Sequence, residues 1–201
     1  MARPARPEVP RGAPLRDPVR TDQPRGPLLY KAAARSRAAY IEWMADVHPN
    51  VTRVLSAAAD KGLQLETRAF PEGTKTAVDA ANAIGVEVGQ IVKSLIFAVD
   101  GEVVLAYVSG SNQLDEKKLA AAAGGLKCAR VDADTVRATT GFPIGGVAPF
   151  GSSTDLRVFI DRDLLQYSEV WAAAGTWHDV FRIDPAALAT ASGGTVTDLK
   201  R

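Results

Sequence analysis

Lys93 lies in the run Ile91-Val92-Lys93-Ser94-Leu95-Ile96-Phe97, a charged residue set among apolar ones. On a strand alternate side chains share a face, so Lys93 is grouped with Ile91, Leu95 and Phe97. An ammonium group in such a row is costly unless it reaches water, meets a partner or lines a cavity. Lys93 is therefore either an edge-strand lysine extended to solvent or a pocket lysine that offers a fixed charge to a carbonyl, carboxylate or phosphate. Asp161 ends Val158-Phe159-Ile160-Asp161, on the face of Phe159. It can cap the turn at Arg162-Asp163, or it can be the counter-charge of Lys93 or of a substrate ammonium. Between them lies Thr140-Gly141-Phe142-Pro143-Ile144-Gly145-Gly146-Val147-Ala148-Pro149-Phe150-Gly151, with four glycines and two prolines. Glycine permits positive φ and close backbone approach, while proline stiffens the loop. Such a loop can aim several N–H groups at a developing oxyanion. It can equally be a structural crossover.

Other schemes fit poorly. No Gly-Lys-Ser/Thr follows the loop, so it is not a phosphate-binding P-loop, and no Gly-x-Ser-x-Gly elbow or His-x-x-x-His helix occurs. Cys128, between Lys127 and Arg130, reads as a core or half-buried thiol. His48 and His178 are too few and too far apart in sequence to suggest a metal site, and His178 reads as a strand start after Gly175-Thr176-Trp177.

The elements that must position these residues are legible from caps, turns and periodicity. Asn50 is expected to cap a helix to about Asp60, stopped at Gly62, and Leu63 to Phe70 alternates as a strand. Thr76 opens a helix from Ala77 to Ile84. Gln90 to Val99 and Glu102 to Val108 form a hairpin about Asp100-Gly101. Asp115 and Asp132 cap two further helices, with a strand from Lys127 to Val131 between them. Strands are expected over Leu156–Asp161, Glu169–Ala173 and Asp179–Ile183, and Asp184-Pro185 starts a last helix. This irregular alternation predicts a mixed α+β domain around one sheet.

The chain has 201 residues, one Cys and 46% hydrophobic residues, enough for a sizeable core without disulfide or metal staples. Its net charge of +1 argues against a protein that grips nucleic acid mainly by neutralising phosphates. That average joins two unlike parts. Residues 1–43 hold eight Arg and Lys31 against four acidic residues, and seven of the 12 prolines lie in residues 1–27. The proline spacing and sparse apolar content predict disorder from Met1 to Pro27, with residues 28–43 as a candidate helix. Residues 1–43 could also be an upstream mis-start, since Met44-Ala45-Asp46-Val47 could begin a compact protein. The expected division is thus 1–43 as leader and 44–201 as the folded domain, which carries a net −4. No apolar stretch of 18 residues is present for a membrane span.

Three segments together resemble the YbaK/EbsC family, free-standing relatives of the editing domain inserted in bacterial prolyl-tRNA synthetases. They are Gly89 to Phe97, Gln113-Leu114-Asp115-Glu116-Lys117-Lys118-Leu119-Ala120, and the loop Thr140 to Gly151, with Phe159-Ile160-Asp161 and Val170 to Gly175 also in keeping. The resemblance spans about residues 50–190. It implies an α+β single domain with a mixed, curved, barrel-like β-sheet flanked by helices. It further implies a cytosolic trans-editing hydrolase that deacylates mischarged aminoacyl-tRNA, most naturally Cys- or Ala-tRNA(Pro), without metal or cofactor. The partners implied are the tRNA acceptor end and a prolyl-tRNA synthetase. By the same resemblance Lys93 is the characteristic site lysine, Gly145 and Gly146 supply backbone groups for the carbonyl, and Gly145 through Pro149 is the family's Gly-x-x-x-Pro loop. Phe70, Val147, Pro149, Gly151 and Asp161 fall at substrate-binding positions. Attack is assisted by the terminal ribose hydroxyl or an ordered water. The chain departs from the family at Ser152-Ser153, where many members carry His or Gln, and at Phe70, where some have Tyr. Lys117, Lys118, Lys127 and Arg130 are candidate tRNA contacts. The alternative from another class is a non-catalytic aminoacyl-tRNA-binding or regulatory module with the same pocket.

Overall fold

The computed structural model describes residues 28–30, 47–70, 73 and 76–201. The expected leader and the 43/44 boundary otherwise lie outside the described residues, but Leu28–Tyr30, included in the candidate helix region, is a strand, β1. It pairs antiparallel with β2, Thr67–Ala69. Between them in sequence is helix α1, Pro49–Ala59. Its cap is His48, whose Nδ1 accepts the Asn50 N–H at 3.1 Å, with Pro49 at the first helical position. Asn50, expected to be the cap, instead sends its side-chain amide to the Gly175 carbonyl at 2.9 Å. Proline's preset φ and missing N–H suit that first position, which moves the cap two residues upstream.

Helix α2, Ala77–Ile84, starts at a capping box between Thr76 and Asp79 and stops at Gly85, φ 84°. A 3₁₀ turn, Val88–Gln90, leads into the hairpin β3, Val92–Val99, and β4, Glu102–Ser109, paired from Val92↔Ser109 to Val99↔Glu102. The turn has positive φ at both Asp100 and Gly101, as a two-residue hairpin turn requires. Helix α3, Glu116–Ala122, is capped by Asp115; β5 is Cys128–Arg130; α4, Ala133–Thr140, is capped by Asp132. After the glycine loop come β6, Arg157–Asp161, a 3₁₀ turn Arg162–Gln166, β7, Val170–Ala173, and β8, Asp179–Ile183. Helix α5, Pro185–Ser192, and strand β9, Thr195–Thr197, complete the order.

The strands form two sheets rather than one. Their orders are β1-β2-β8-β7 and β5-β3-β4-β6-β9, and the sheet is not closed into a barrel. The α+β class stands; the single barrel-like sheet does not. In the larger sheet β4–β6 and β6–β9 are parallel, and the sheets meet at a bridge between Ile91 and Trp171. Alternation along β4 sorts its side chains between two cores. Leu105 and Tyr107 join Val51, Val54, Phe142, Phe150 and Phe181 in the main core, while Val104, Ala106 and Val108 pack with Leu119 and Ala120 of α3. Lys93, opposite Val108, is on the α3 face.

Candidate functional site

Strand β5 pairs only with Phe97–Val99, so the first half of β3 has no strand partner on that edge among the described residues. Two cavities open along it. The smaller, about 340 Å³, is walled by the cap residue Thr76 and by Ala77 and Ala80 of α2, by Ile91, and by Trp171 and Ala172 of β7. The larger, about 620 Å³, reaches Phe97, Gln113, Glu116, Arg130 and Arg201. Both volumes fall in the range of small-molecule sites. Lys93, Ser94, Leu95, Ile144, Gly145 and Val147 line both and form the partition between them.

Lys93 is therefore a pocket lysine. Its Nζ donates to the Gly110 carbonyl at 3.3 Å and to the Asn112 carbonyl. Burial pushes its pKa below the ordinary lysine value, and the negative charge of Asp161 works against that shift. Asp161 is fully buried. Its Oδ2 accepts from the Ser109 N–H at 3.2 Å and from Asn112 Nδ2 at 2.8 Å, and its Oδ1 accepts from the Asp163 N–H at 3.2 Å. It thus caps the turn at Arg162-Asp163 and also supplies a charge that Lys93 feels, two roles that sequence pattern set against each other.

The glycine loop is held at several points. Ser153 and Thr154 bond through their N–H groups to the Thr140 and Thr139 carbonyls and close its base. The departure at Ser152-Ser153 thus falls partly at this base: Ser153 makes one of its backbone bonds. Arg53 of α1 donates to the Gly141 carbonyl at 3.0 Å and lies 4.2 Å over the Phe142 ring. The buried Tyr107 hydroxyl donates to the Pro149 carbonyl at 3.0 Å, and Trp177 Nε1 donates to the Ile144 carbonyl. Pro143 to Gly146 is a β-turn closed by the Gly146 N–H on the Pro143 carbonyl at 2.9 Å. Gly145, φ 85°, occupies the position of that turn that favours glycine. A Cβ on Gly146 would stand 3.1 Å from the Thr176 backbone, so glycine there lets two loops touch. The Gly146 N–H is committed to the turn, whereas those of Gly145 and Val147 have no intramolecular partner among the described residues.

Of the residues proposed from sequence, the structure brings together Lys93, Gly145 and Val147. Pro149 and Gly151 shape the loop from outside the cavities, and Phe70 packs in the cluster of Ala80, Ile91 and Trp171 behind the smaller cavity's wall. Sequence reasoning missed Asn112, Arg53, Ser94 and Trp171. Arg53 carried no signal, because an arginine on a helix face ordinarily points to water. Cys128 is half-buried, its thiol pushed up to about 11 by burial and by Glu116. The four basic candidates, Lys117, Lys118, Lys127 and Arg130, differ in their surroundings. Lys118 is paired with Asp198 at 2.7 Å, and only Arg130 of the four lines the larger cavity. No helix among the described residues is long and apolar enough to cross a membrane.

A family model described as the aminoacyl-tRNA editing domain matches residues 71–191. A candidate Cys-tRNA(Pro)/Cys-tRNA(Cys) deacylase, EbsC of Enterococcus faecalis, is 30% identical over 133 residues, covering 65% of this chain and 80% of that protein. The proline–tRNA ligase of Maridesulfovibrio salexigens is 32% identical over 131 residues, 63% of this chain but only 22% of the ligase. A solved structure described as a candidate trans-editing enzyme for prolyl-tRNA synthetase superimposes with a TM-score of 0.73 at 44% identity, covering 77% of this chain and 99% of that one. The chain belongs to the aminoacyl-tRNA editing domain family, as a deacylase.

Proposed function

We propose that the protein acts in trans, in the cytoplasm, on mischarged tRNA(Pro), removing a small amino acid such as Cys or Ala from its acceptor end. The observation that carries this reading is the position of Lys93 on a partition shared with Gly145, between a small apolar chamber and a larger, more polar one. An ester held across that partition has its amino-acid side chain in the smaller cavity and its ribose in the larger. Arg130 then stands on the nucleotide side, where a phosphate is close.

An aminoacyl ester is already activated, so its hydrolysis needs orientation and charge stabilisation more than a strong nucleophile. The Lys93 ammonium, fixed by two carbonyls, supplies a preset positive charge near the ester. The Gly145 and Val147 N–H groups are the loop's available donors for the developing oxyanion. The sequence-based assignment of Gly146 as a donor is replaced, because its N–H already closes the turn. A water, assisted by the terminal ribose hydroxyl, attacks the carbonyl carbon; the C–O ester bond breaks, the ribose oxygen leaves with the proton given up by the water, and the free amino acid is released from the tRNA. Asp161 is buried and turned to Ser109 and Asn112, which suits a remote counter-charge rather than a ligand for the substrate ammonium.

The test is ester loss from Cys-, Ala- and Ser-tRNA(Pro) in the presence of the wild-type protein and of Lys93→Ala. Turnover of at least one substrate is expected, with Lys93→Ala slower by on the order of 10²–10³-fold while its melting profile is kept. Binding without turnover, or unchanged turnover in Lys93→Ala, refutes the assignment.

A further inference from the structure

Lys93 could swing freely if only its own stem held it, yet its ammonium is bonded to two carbonyls of one short turn, those of Gly110 and Asn112. That turn leaves β4 and must itself be fixed for the bonds to have any directing value. Asn112 fixes it. Its side chain is buried, 6% exposed, and the two N–H bonds of its amide are both spent on carboxylates: Asp161 Oδ2 at 2.8 Å and Asp163 Oδ2 at 2.9 Å. The carboxylates are themselves anchored, Asp161 at the end of β6 by the Ser109 N–H and Asp163 in the following 3₁₀ turn. An amide is the group that suits this position. It donates twice and carries no charge, whereas a carboxylate there would face two others and an aliphatic side chain would leave the fully buried Asp161 short of a donor.

We propose that Asn112 is a positioning residue for Lys93: its amide, clamped between Asp161 and Asp163, holds the 110–112 turn so that two backbone carbonyls fix the ammonium on the partition between the cavities. The effect on activity rests on Lys93 being the charge of the deacylation site, as argued above. The clamp itself does not.

The experiment therefore reads the two separately in the full chain. In Asn112→Ala, kcat on the turned-over aminoacyl-tRNA is expected to fall about 10–100-fold with KM within about two-fold, because the ammonium is misplaced by an ångström or so while the chambers persist. The ¹⁵Nζ ammonium resonance of Lys93, slowed in proton exchange by its two carbonyl bonds, is expected to broaden away while the backbone amide spectrum outside the turn stays in place. Asp163→Ala removes one half of the clamp at a less buried position and should shift both readouts in the same direction by less, which keeps the test decisive if Asn112→Ala does not fold. A folded variant with wild-type kcat or an undisturbed Lys93 resonance overturns the proposal. Loss of the resonance in a protein whose wild type deacylates none of the substrates supports the clamp and sinks the functional reading instead.

Discussion

Gly110→Ala is a one-methyl perturbation aimed at the support of Lys93 rather than at Lys93 itself. A Cβ built on Gly110 would lie 2.0 Å from the Val88 carbonyl oxygen and 3.1 Å from its carbon. Ordinary contact at such a distance starts near 3.4 Å, so about 1.4 Å must be found by moving backbone, since neither group is the tip of a flexible side chain. Val88 is not free to yield, because its oxygen accepts the Ile91 N–H at 3.1 Å in the turn that feeds β3. The 110–112 turn therefore has to give, and the Lys93 bond to the Gly110 carbonyl, already 3.3 Å long, passes beyond hydrogen-bond range. Overpacking of this kind costs about 1–3 kcal/mol, and in a chain of this size each kcal/mol lowers Tm by about 2–4 °C. A displaced ammonium should lower kcat on the order of 10²-fold with little change in KM. Differential scanning fluorimetry and single-substrate deacylation kinetics give the two values. Wild-type Tm together with wild-type kcat would refute the claim that Gly110 is required for close approach and that its carbonyl steers Lys93.

Four other outcomes are expected. Because burial holds the Lys93 pKa below the free-lysine value of about 10.4, and the proposed role of Lys93 needs its protonated form, the enzymatic rate corrected for spontaneous hydrolysis should fall as pH rises through that lowered value. Asp161→Asn removes the opposing charge and should move this alkaline limb to lower pH; a limb that stays in place contradicts the coupling. Arg53→Ala should destabilise by about 1–3 kcal/mol and slow deacylation, since it frees the Gly141 end of the loop, and Arg53→Lys should not restore either property, measured by urea unfolding and kcat. A chain starting at Met44 loses strand β1 together with eight arginines and Lys31; if those basic residues contact RNA, its KM for tRNA should rise and become less salt-dependent, and an unchanged salt slope would show that they do not.

The local elements were legible where one residue type has one physical use. The Asp100-Gly101 turn and the period-two pattern around it specify the β3–β4 hairpin to within a residue or two, and Thr76, Asp115, Asp132 and Asp184 are caps where expected. The two-sheet arrangement was not legible, because β4–β6 and β6–β9 are parallel pairs between distant segments, and β9 is a three-residue strand. Lys93 announced itself as a charge in an apolar row. Asn112 did not: an asparagine after Gly110-Ser111 reads as an ordinary turn residue, and only the fold brings Asp161 and Asp163 to its amide. Asp161 was open to two interpretations, and one carboxylate with two oxygens performs both.

A shared wall between two chambers has an evolutionary consequence. Residues such as Ala77, Ala80 and Ala172 face only the smaller chamber, and Gln113, Glu116 and Arg130 face only the larger. On the proposed reading, substitutions in the first set would retune which amino acid is accepted while the nucleotide grip stays constant, and the second set would drift toward another tRNA without disturbing the reacting centre. Lineages carrying this architecture would then change one half of their specificity at a time, with the lysine and its glycine loop as the fixed hinge of that variation.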